Sequence, residues 1–93
     1  TLNEPEAKVA DVFLMLAENR NINITDTKEV SFNINPEQVA NWCGLDKIKC
    51  SEILNHFVRQ NRITIKTNEI VIHNMNDFYR LVTSKRKSTL TNK

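Results

Sequence analysis

A single glycine in 93 residues is the feature that most restricts what this chain can fold into. Glycine-rich loops cradle phosphates and form the turns of dinucleotide-binding folds, so their absence disfavours most nucleotide-dependent enzymes. The one glycine, Gly44, lies between two helical patterns, where a tight turn needs a residue that tolerates positive φ. The sequence therefore predicts two helices joined at Gly44.

Both of these helices carry start signals. Asn35 can cap the first, Pro36 fits the first helical position, and Gln38 can reach back to complete a capping box. Asp46 can cap the next helix, which is predicted to end near Asn61. Apolar residues at helical spacing mark one face of it, and these are Cys50, Ile53, Leu54, Phe57 and Val58.

Further elements flank this pair of helices. A helix is predicted over residues 4–19, and alternating apolar residues on both sides of a polar turn at residues 25–28 predict a short hairpin. A second hairpin is predicted over residues 63–73, followed by a short helix that Asn74 can cap. The basic tail over residues 84–93 has no periodicity and is predicted to be disordered.

Length and charge set the class of protein. The chain is short enough for one domain only, which we place at residues 1–83. Residues 1–34 carry six acidic and three basic side chains, whereas residues 67–93 carry two acidic and five basic ones. Positive charge collected in one part of a small domain favours a polyanionic partner.

Two helices joined by a tight turn and followed at once by a hairpin are typical of a winged helix-turn-helix. The predicted fold class is thus α+β, mainly α: helix, short hairpin, helix-turn-helix, β-wing and short C-terminal helix. The major groove of DNA, about 12 Å wide, admits one helix while the preceding helix braces it. The face opposite the apolar residues of the third helix comprises Lys47, Ile48, Ser51, Glu52 and Asn55.

The segment from Asn35 to Leu54, NPEQVANWCGLDKIKCSEIL, followed by Phe57 and the 63–73 hairpin, resembles the C-terminal DNA-binding domain of the Crp/Fnr regulators. In that family a glycine turn, a Ser-Arg-Glu-Thr-Val-type recognition segment, an apolar Ile-Leu pair and a wing occur in this order. The resemblance covers most of residues 6–83. It implies sequence-specific binding of double-stranded DNA by a bacterial, cytoplasmic transcription regulator.

The resemblance also assigns roles to single residues. Asn35 occupies the cap position that meets a phosphate, Lys47 the position from which an arginine or similar residue reads a base, and Lys66 a wing position that contacts phosphate. The full set of expected DNA-binding residues is Asn35, Lys47, Ile48, Lys49, Ser51, Glu52, Asn55, Arg59, Lys66, Thr67 and Asn68.

Three positions depart from the family's pattern. Ile48 stands where the family often has glutamate, Glu52 where it often has arginine, and Asp46 in place of a phosphate-binding serine. The usual pair of base readers is absent, so we expect a different half-site. From the donors, acceptors and methyl groups that bases present in the major groove, Lys47 can donate to guanine O6 or N7, Ile48 can pack on a thymine methyl, and Glu52 can accept from cytosine N4.

The chain begins with Thr1 rather than Met, so we expect a piece of a longer protein. The resemblance places a dimerisation helix and an effector-binding barrel before Thr1; the effector is unknown, and no cofactor is expected in this fragment. It implies a homodimer for the whole protein, leaves a monomer open for this piece, and allows RNA polymerase as a partner.

The longest apolar stretch, Val12 to Ala17, is far shorter than the roughly 18 residues of a membrane span, so no membrane partner is expected and cytoplasm is the default.

DNA binding has two competing interpretations. Winged helices also serve as protein-interaction modules, and Asp46 and Glu52 would bring carboxylates near phosphates. This alternative stays open. An enzyme is disfavoured because the sequence has no paired-carboxylate motif, activated nucleophile or glycine loop.

The remaining reactive residues have simpler interpretations. The spacings between Cys43, Cys50, His56 and His73 match no common zinc pattern, so no metal site is expected. Both cysteines fit small core residues under the turn. Trp42 fits a core or edge packing position, and both histidines fit the surface.

Overall fold

A computed structural model describes residues 4–23 and 28–91 of the chain. These ranges contain four helices and three strands, and the mainly helical winged helix-turn-helix architecture is confirmed. The elements are α1 (Pro5–Asn19), β1 (Val30–Phe32), α2 (Pro36–Cys43), α3 (Lys47–Arg59), β2 (Ile63–Lys66), β3 (Glu69–Ile72) and α4 (Met75–Thr91).

The core is centred on three aromatic rings from three helices. Phe13 of α1, Phe57 of α3 and Phe78 of α4 are fully buried. The ring of Phe78 packs edge to face against each of the other two, with centroid separations of 5.1 Å in both cases. Edge-to-face contacts add directional attraction to the burial of apolar area. The cluster therefore fixes the orientation of α3 relative to α1 and α4.

The three strands form one antiparallel sheet in the order β1-β3-β2. The hairpin predicted over residues 63–73 is confirmed: β2 pairs with β3, from Ile63 opposite Ile72 to Lys66 opposite Glu69. The first predicted hairpin is corrected, because β1 pairs with β3, Val30 lying opposite Ile72. Alternation identifies a strand but not its partner. Residues 24–27, which include most of the expected turn, lie outside the described residues.

The last helix is longer than predicted. The Oδ1 atom of Asn74 accepts a hydrogen bond from the backbone N–H of Asn76 at 3.0 Å, so the predicted cap is confirmed. The helix then continues through Thr91, beyond the end near Thr83 that the sequence predicts. The predicted disorder of the basic tail stays a prediction, and residues 92–93 lie outside the described residues. Lysine, arginine and leucine are good helix formers, and neither glycine nor proline interrupts this segment. The assignment of residues 1–83 as the functional domain stays a prediction.

Candidate nucleic-acid interface

The start of α2 is fixed by reciprocal hydrogen bonds. The Oδ1 atom of Asn35 accepts from the backbone N–H of Gln38 at 2.9 Å, and the backbone N–H of Asn35 donates to Oε1 of Gln38 at 3.0 Å. This is the predicted capping box, with Pro36 in the first turn. Because Oδ1 accepts this bond, the Nδ2 amide is the part of the Asn35 side chain that can donate to a bound anion.

The turn between the helices depends on the backbone of Gly44. Its φ is 71° and its ψ 24°, in the left-handed region, and the N–H of Leu45 donates to the carbonyl of Ala40 at 3.1 Å. Apart from Gly44 and its two chain neighbours, no heavy atom lies within 4 Å of where a Cβ would stand. Glycine is favoured here by backbone conformation and not by crowding. The predicted glycine turn is confirmed.

Asp46 caps α3 with one carboxylate oxygen. Its Oδ2 accepts from the backbone N–H groups of Ile48 at 3.1 Å and Lys49 at 3.2 Å. The cap predicted from the sequence is confirmed. The carboxylate also occupies the helix N-terminus, a position at which backbone N–H groups could otherwise bind a phosphate.

The two long faces of α3 have opposite environments. The predicted apolar face is buried at Cys50, Ile53, Leu54 and Phe57, although Val58 is exposed. All seven candidate residues on α3 are exposed, and Ile48 is 71% exposed. These seven are Lys47, Ile48, Lys49, Ser51, Glu52, Asn55 and Arg59. The structure therefore brings them together on the outer surface of one helix.

An ion pair joins the first turn of α3 to the first turn of α2. The Nζ atom of Lys47 donates to Oε2 of Glu37 at 2.8 Å, and the two side chains are 68% and 63% exposed. The hydrogen bond and charge of Lys47 lower the pKa of Glu37, and those of Glu37 raise the pKa of Lys47. Sequence reasoning missed Glu37, because residues ten apart in different helices share no periodicity that would reveal the contact.

The candidate wing lies at the exposed tip of the β2–β3 hairpin. Lys66, Thr67 and Asn68 are all exposed, and Asn68 adopts a φ of 57° in the turn. Asparagine tolerates this left-handed conformation better than most residues. The structure thus presents the three predicted wing residues to solvent at one end of the sheet.

His73 connects the hairpin to the end of α3. Its Nε2 lies 2.7 Å from Oγ1 of Thr64 on β2, and its Nδ1 lies 2.8 Å from the carbonyl oxygen of Asn61 just after α3. The side chain is half-buried, so the surface position predicted for it is only partly correct. These hydrogen bonds tie the wing to the helix. His56 is also half-buried, although no comparable role follows from its contacts.

The cysteines behave as packing residues. Cys50 is fully buried, as predicted, and Cys43 packs half-buried against the core. Burial raises the pKa of Cys43 to about 12, with a further contribution from Cys50, and burial also raises the pKa of Cys50. Both are therefore protonated thiols at neutral pH, which makes them poor nucleophiles.

Trp42 is one of the large apolar side chains that remain exposed, at 48%. It borders a cavity of about 280 Å³ between α1 and α2, together with Met15. This exposure contradicts a core position for Trp42, and its packing at the core edge stays a prediction. Within the described ranges, no group of three or more His, Cys, Asp or Glu side chains is placed to hold a metal ion. None of the helices in the described part of the chain combines the length and apolar character needed to cross a membrane.

Comparison with known proteins gives one family. The family model described as a Crp-like helix-turn-helix domain matches residues 7–81. A protein from Eubacterium rectale assigned to the crp/fnr family of transcriptional regulators superimposes with a TM-score of 0.71 at 16% identity, over 87% of this chain and 34% of that one. A search of the curated proteins gives no match.

Two CRP/FNR-family transcriptional regulators from Thermus thermophilus also superimpose with TM-scores of 0.71. The first is 13% identical, over 86% of this chain and 41% of its own length. The second is 15% identical, over 87% of this chain and 41% of its own length. At these identities the likeness concerns the fold. The chain spans 34–41% of the length of these three proteins.

Proposed function

Because the chain belongs to the family of Crp-like helix-turn-helix domains, we propose that it is the sequence-specific DNA-binding part of a bacterial transcription regulator. The observation that carries this proposal is the division of α3. The inner face of α3 is buried in the core, while its outer face exposes six polar or charged side chains and the apolar Ile48 to solvent. A helix anchored in this way can enter a major groove without unfolding or repacking.

The outer face of α3 supplies the base contacts. Lys47 donates to O6 or N7 of a guanine, Ile48 packs on a thymine methyl, and Glu52 accepts from N4 of a cytosine. Ser51 and Asn55 lie on the same exposed face and contact bases or phosphates. This combination of a cation, an apolar side chain and a carboxylate selects a mixed base sequence.

Contacts to the DNA backbone come from around the helix. The Nδ2 amide of Asn35 donates to a phosphate beside α2, and Lys66 with the turn at Thr67 and Asn68 meets the phosphates that flank the groove. Lys49 and Arg59 add positive charge at the two ends of α3. Phosphate contacts of this kind set the position of the protein and make its affinity depend on salt.

Beyond this chain, the proposal extends to a longer protein. A homodimer would place two copies of α3 on a pseudo-palindrome, an effector-binding domain would control it, and RNA polymerase would be a further partner. A single copy makes half of these contacts, so we expect this chain alone to bind weakly. The proposed location is the cytoplasm.

Selection of bound duplexes from a random pool tests the proposal. The expected result is enrichment of one half-site, with an affinity that falls steeply as salt rises because counterions are released from the phosphates. A full-length dimer, where it can be prepared, should enrich two such half-sites in inverted orientation. Failure to enrich any sequence, with no salt dependence of binding, would refute the proposed function.

A second candidate function is docking of a protein on α3. The observation that favours it is Ile48, a large apolar side chain that is 71% exposed in the middle of the polar candidate residues. A largely apolar protein interface should depend little on salt, whereas DNA binding should weaken by orders of magnitude between low and moderate salt. The same titration therefore separates the two functions.

A further inference from the structure

The ion pair between Glu37 and Lys47 bridges two points whose backbones are fixed. The capping box holds the first turn of α2, and the Asp46 cap holds the first turn of α3. The two side chains meet across this junction at 2.8 Å. Lys47 is therefore held toward α2 by a residue outside the set of expected base-reading side chains.

The ion pair leaves Lys47 able to donate hydrogen bonds to a further partner. An ammonium group has three N–H donors, and Glu37 takes one of them. Because the Lys47 side chain is 68% exposed, its other donors can reach a partner in solution. A lysine that is already paired also loses less side-chain freedom when it meets a base than a freely rotating one does.

The pairing also changes what Lys47 contributes electrostatically. The carboxylate of Glu37 cancels the charge of the ammonium at the junction, so the pair as a unit adds little attraction for phosphates in general. A hydrogen bond to a base edge depends on the placement of the ammonium and survives this cancellation. The pair thus favours sequence preference over nonspecific affinity.

We propose that Glu37 is a specificity-determining residue that positions the ammonium of Lys47 for one base pair and suppresses its nonspecific attraction to DNA. The inference rests on the proposed function, since it presupposes that Lys47 reads a base.

Two substitutions at this exposed position separate charge from geometry. Glu37→Asp keeps the charge but shortens the side chain by one methylene, so the contact with Lys47 is broken or lengthened. Glu37→Gln removes the charge and keeps the length. Circular dichroism and thermal unfolding show whether each variant keeps the fold. Glu18→Asp, on an exposed part of α1 outside the candidate interface, is the matched control.

Affinities are measured for the duplex that the unaltered chain selects, for its single-base variants and for a random duplex, over a range of salt. Lys47→Ala first identifies the base pair that Lys47 reads. At that base pair, Glu37→Asp should reduce discrimination roughly two- to tenfold, a factor typical of ordering one long side chain. Its salt slope should match that of the unaltered chain.

Glu37→Gln should reduce discrimination at the same base pair. It should also bind random DNA more tightly, with a salt slope steeper by about one, because the Lys47 charge is no longer cancelled. In the Lys47→Ala background, neither Glu37 substitution should change discrimination at that base pair. Glu18→Asp should change neither quantity.

Three results would overturn the inference. In the first, the Glu37 variants keep full discrimination at the base pair that Lys47 reads. In the second, the Glu37 substitutions reduce discrimination in the Lys47→Ala background as much as they do in the unaltered chain. In the third, Lys47→Ala itself relaxes the preference at no base pair. In each case DNA binding by the outer face of α3 would still stand if the chain selects a preferred duplex. If it selects none, the proposed function and this inference fall together.

Discussion

The inner and outer faces of α3 belong to one helix of thirteen residues, but different physical constraints act on them. Inner side chains such as Leu54 and Phe57 are fully buried, so the packing of the domain determines their size and polarity. Outer side chains such as Ile48 and Glu52 touch mainly solvent, and the fold tolerates many alternatives there. Substitutions on the inner face should therefore report on stability, and those on the outer face on binding.

The largest effect is expected from Phe57→Ala on the inner face. The ring packs against Phe78 at the centre of the core, so its removal should cost about 3–5 kcal/mol of unfolding free energy. Chemical denaturation measures this loss against the roughly 5–14 kcal/mol typical of a chain of this length. A loss below about 1 kcal/mol would mean that α3 is not held by this cluster.

On the outer face, Lys47→Ala should leave stability nearly unchanged while relaxing preference at one base pair by about 1–3 kcal/mol. Lys66→Ala on the wing is the counterpart for phosphate binding. It should weaken binding to all duplexes alike and lower the salt slope by about one. Fluorescence anisotropy with selected and random duplexes measures both. If both substitutions weakened both duplexes equally, Lys47 would not read a base.

The turn that joins the two helices should respond through its backbone. Gly44→Ala should cost about 1–2 kcal/mol, because a Cβ is disfavoured at a φ of 71° even where no atom crowds it. Gly44→Asn should cost less, since asparagine tolerates this conformation. Thermal unfolding compares the two variants, and an equal or greater loss for asparagine would contradict this explanation.

The smallest effect on stability is expected at the head of α3. Asp46→Asn keeps a side-chain oxygen for the cap, so the free energy of unfolding should change by less than about 0.5 kcal/mol. Binding to DNA should strengthen and its salt slope should steepen by about one, because a carboxylate near the phosphates is removed. Weaker binding without loss of fold would show that the carboxylate does not lie near phosphates in the complex.

Local signals made the helix-turn-helix predictable from sequence. Asn35, Asp46 and Gly44 act within a few residues of their own positions, and the structure confirms all three. The exposed face of α3 follows from the spacing of its apolar residues by simple helical geometry. Prediction succeeds here because each feature depends on neighbours in the chain.

Features that depend on distant residues could not be obtained in the same way. The pairing of β1 with β3 joins segments about forty residues apart, and the contact of Glu37 with Lys47 depends on the angle between two helices. The bonds of His73 likewise require the finished hairpin. The extension of α4 could have been predicted from the sequence, since the segment after Thr83 contains good helix formers and no helix breaker. It was missed because the segment has no apolar residues at helical spacing.

We propose the outer face of α3 as the surface that meets DNA. Titration of the isotopically labelled chain with its selected duplex, followed by amide chemical shifts in NMR spectra, tests it most directly. The largest changes should occur at residues 47–55 and at the wing over residues 66–68. Changes confined to α1 and α4, with α3 and the wing unaffected, would contradict it.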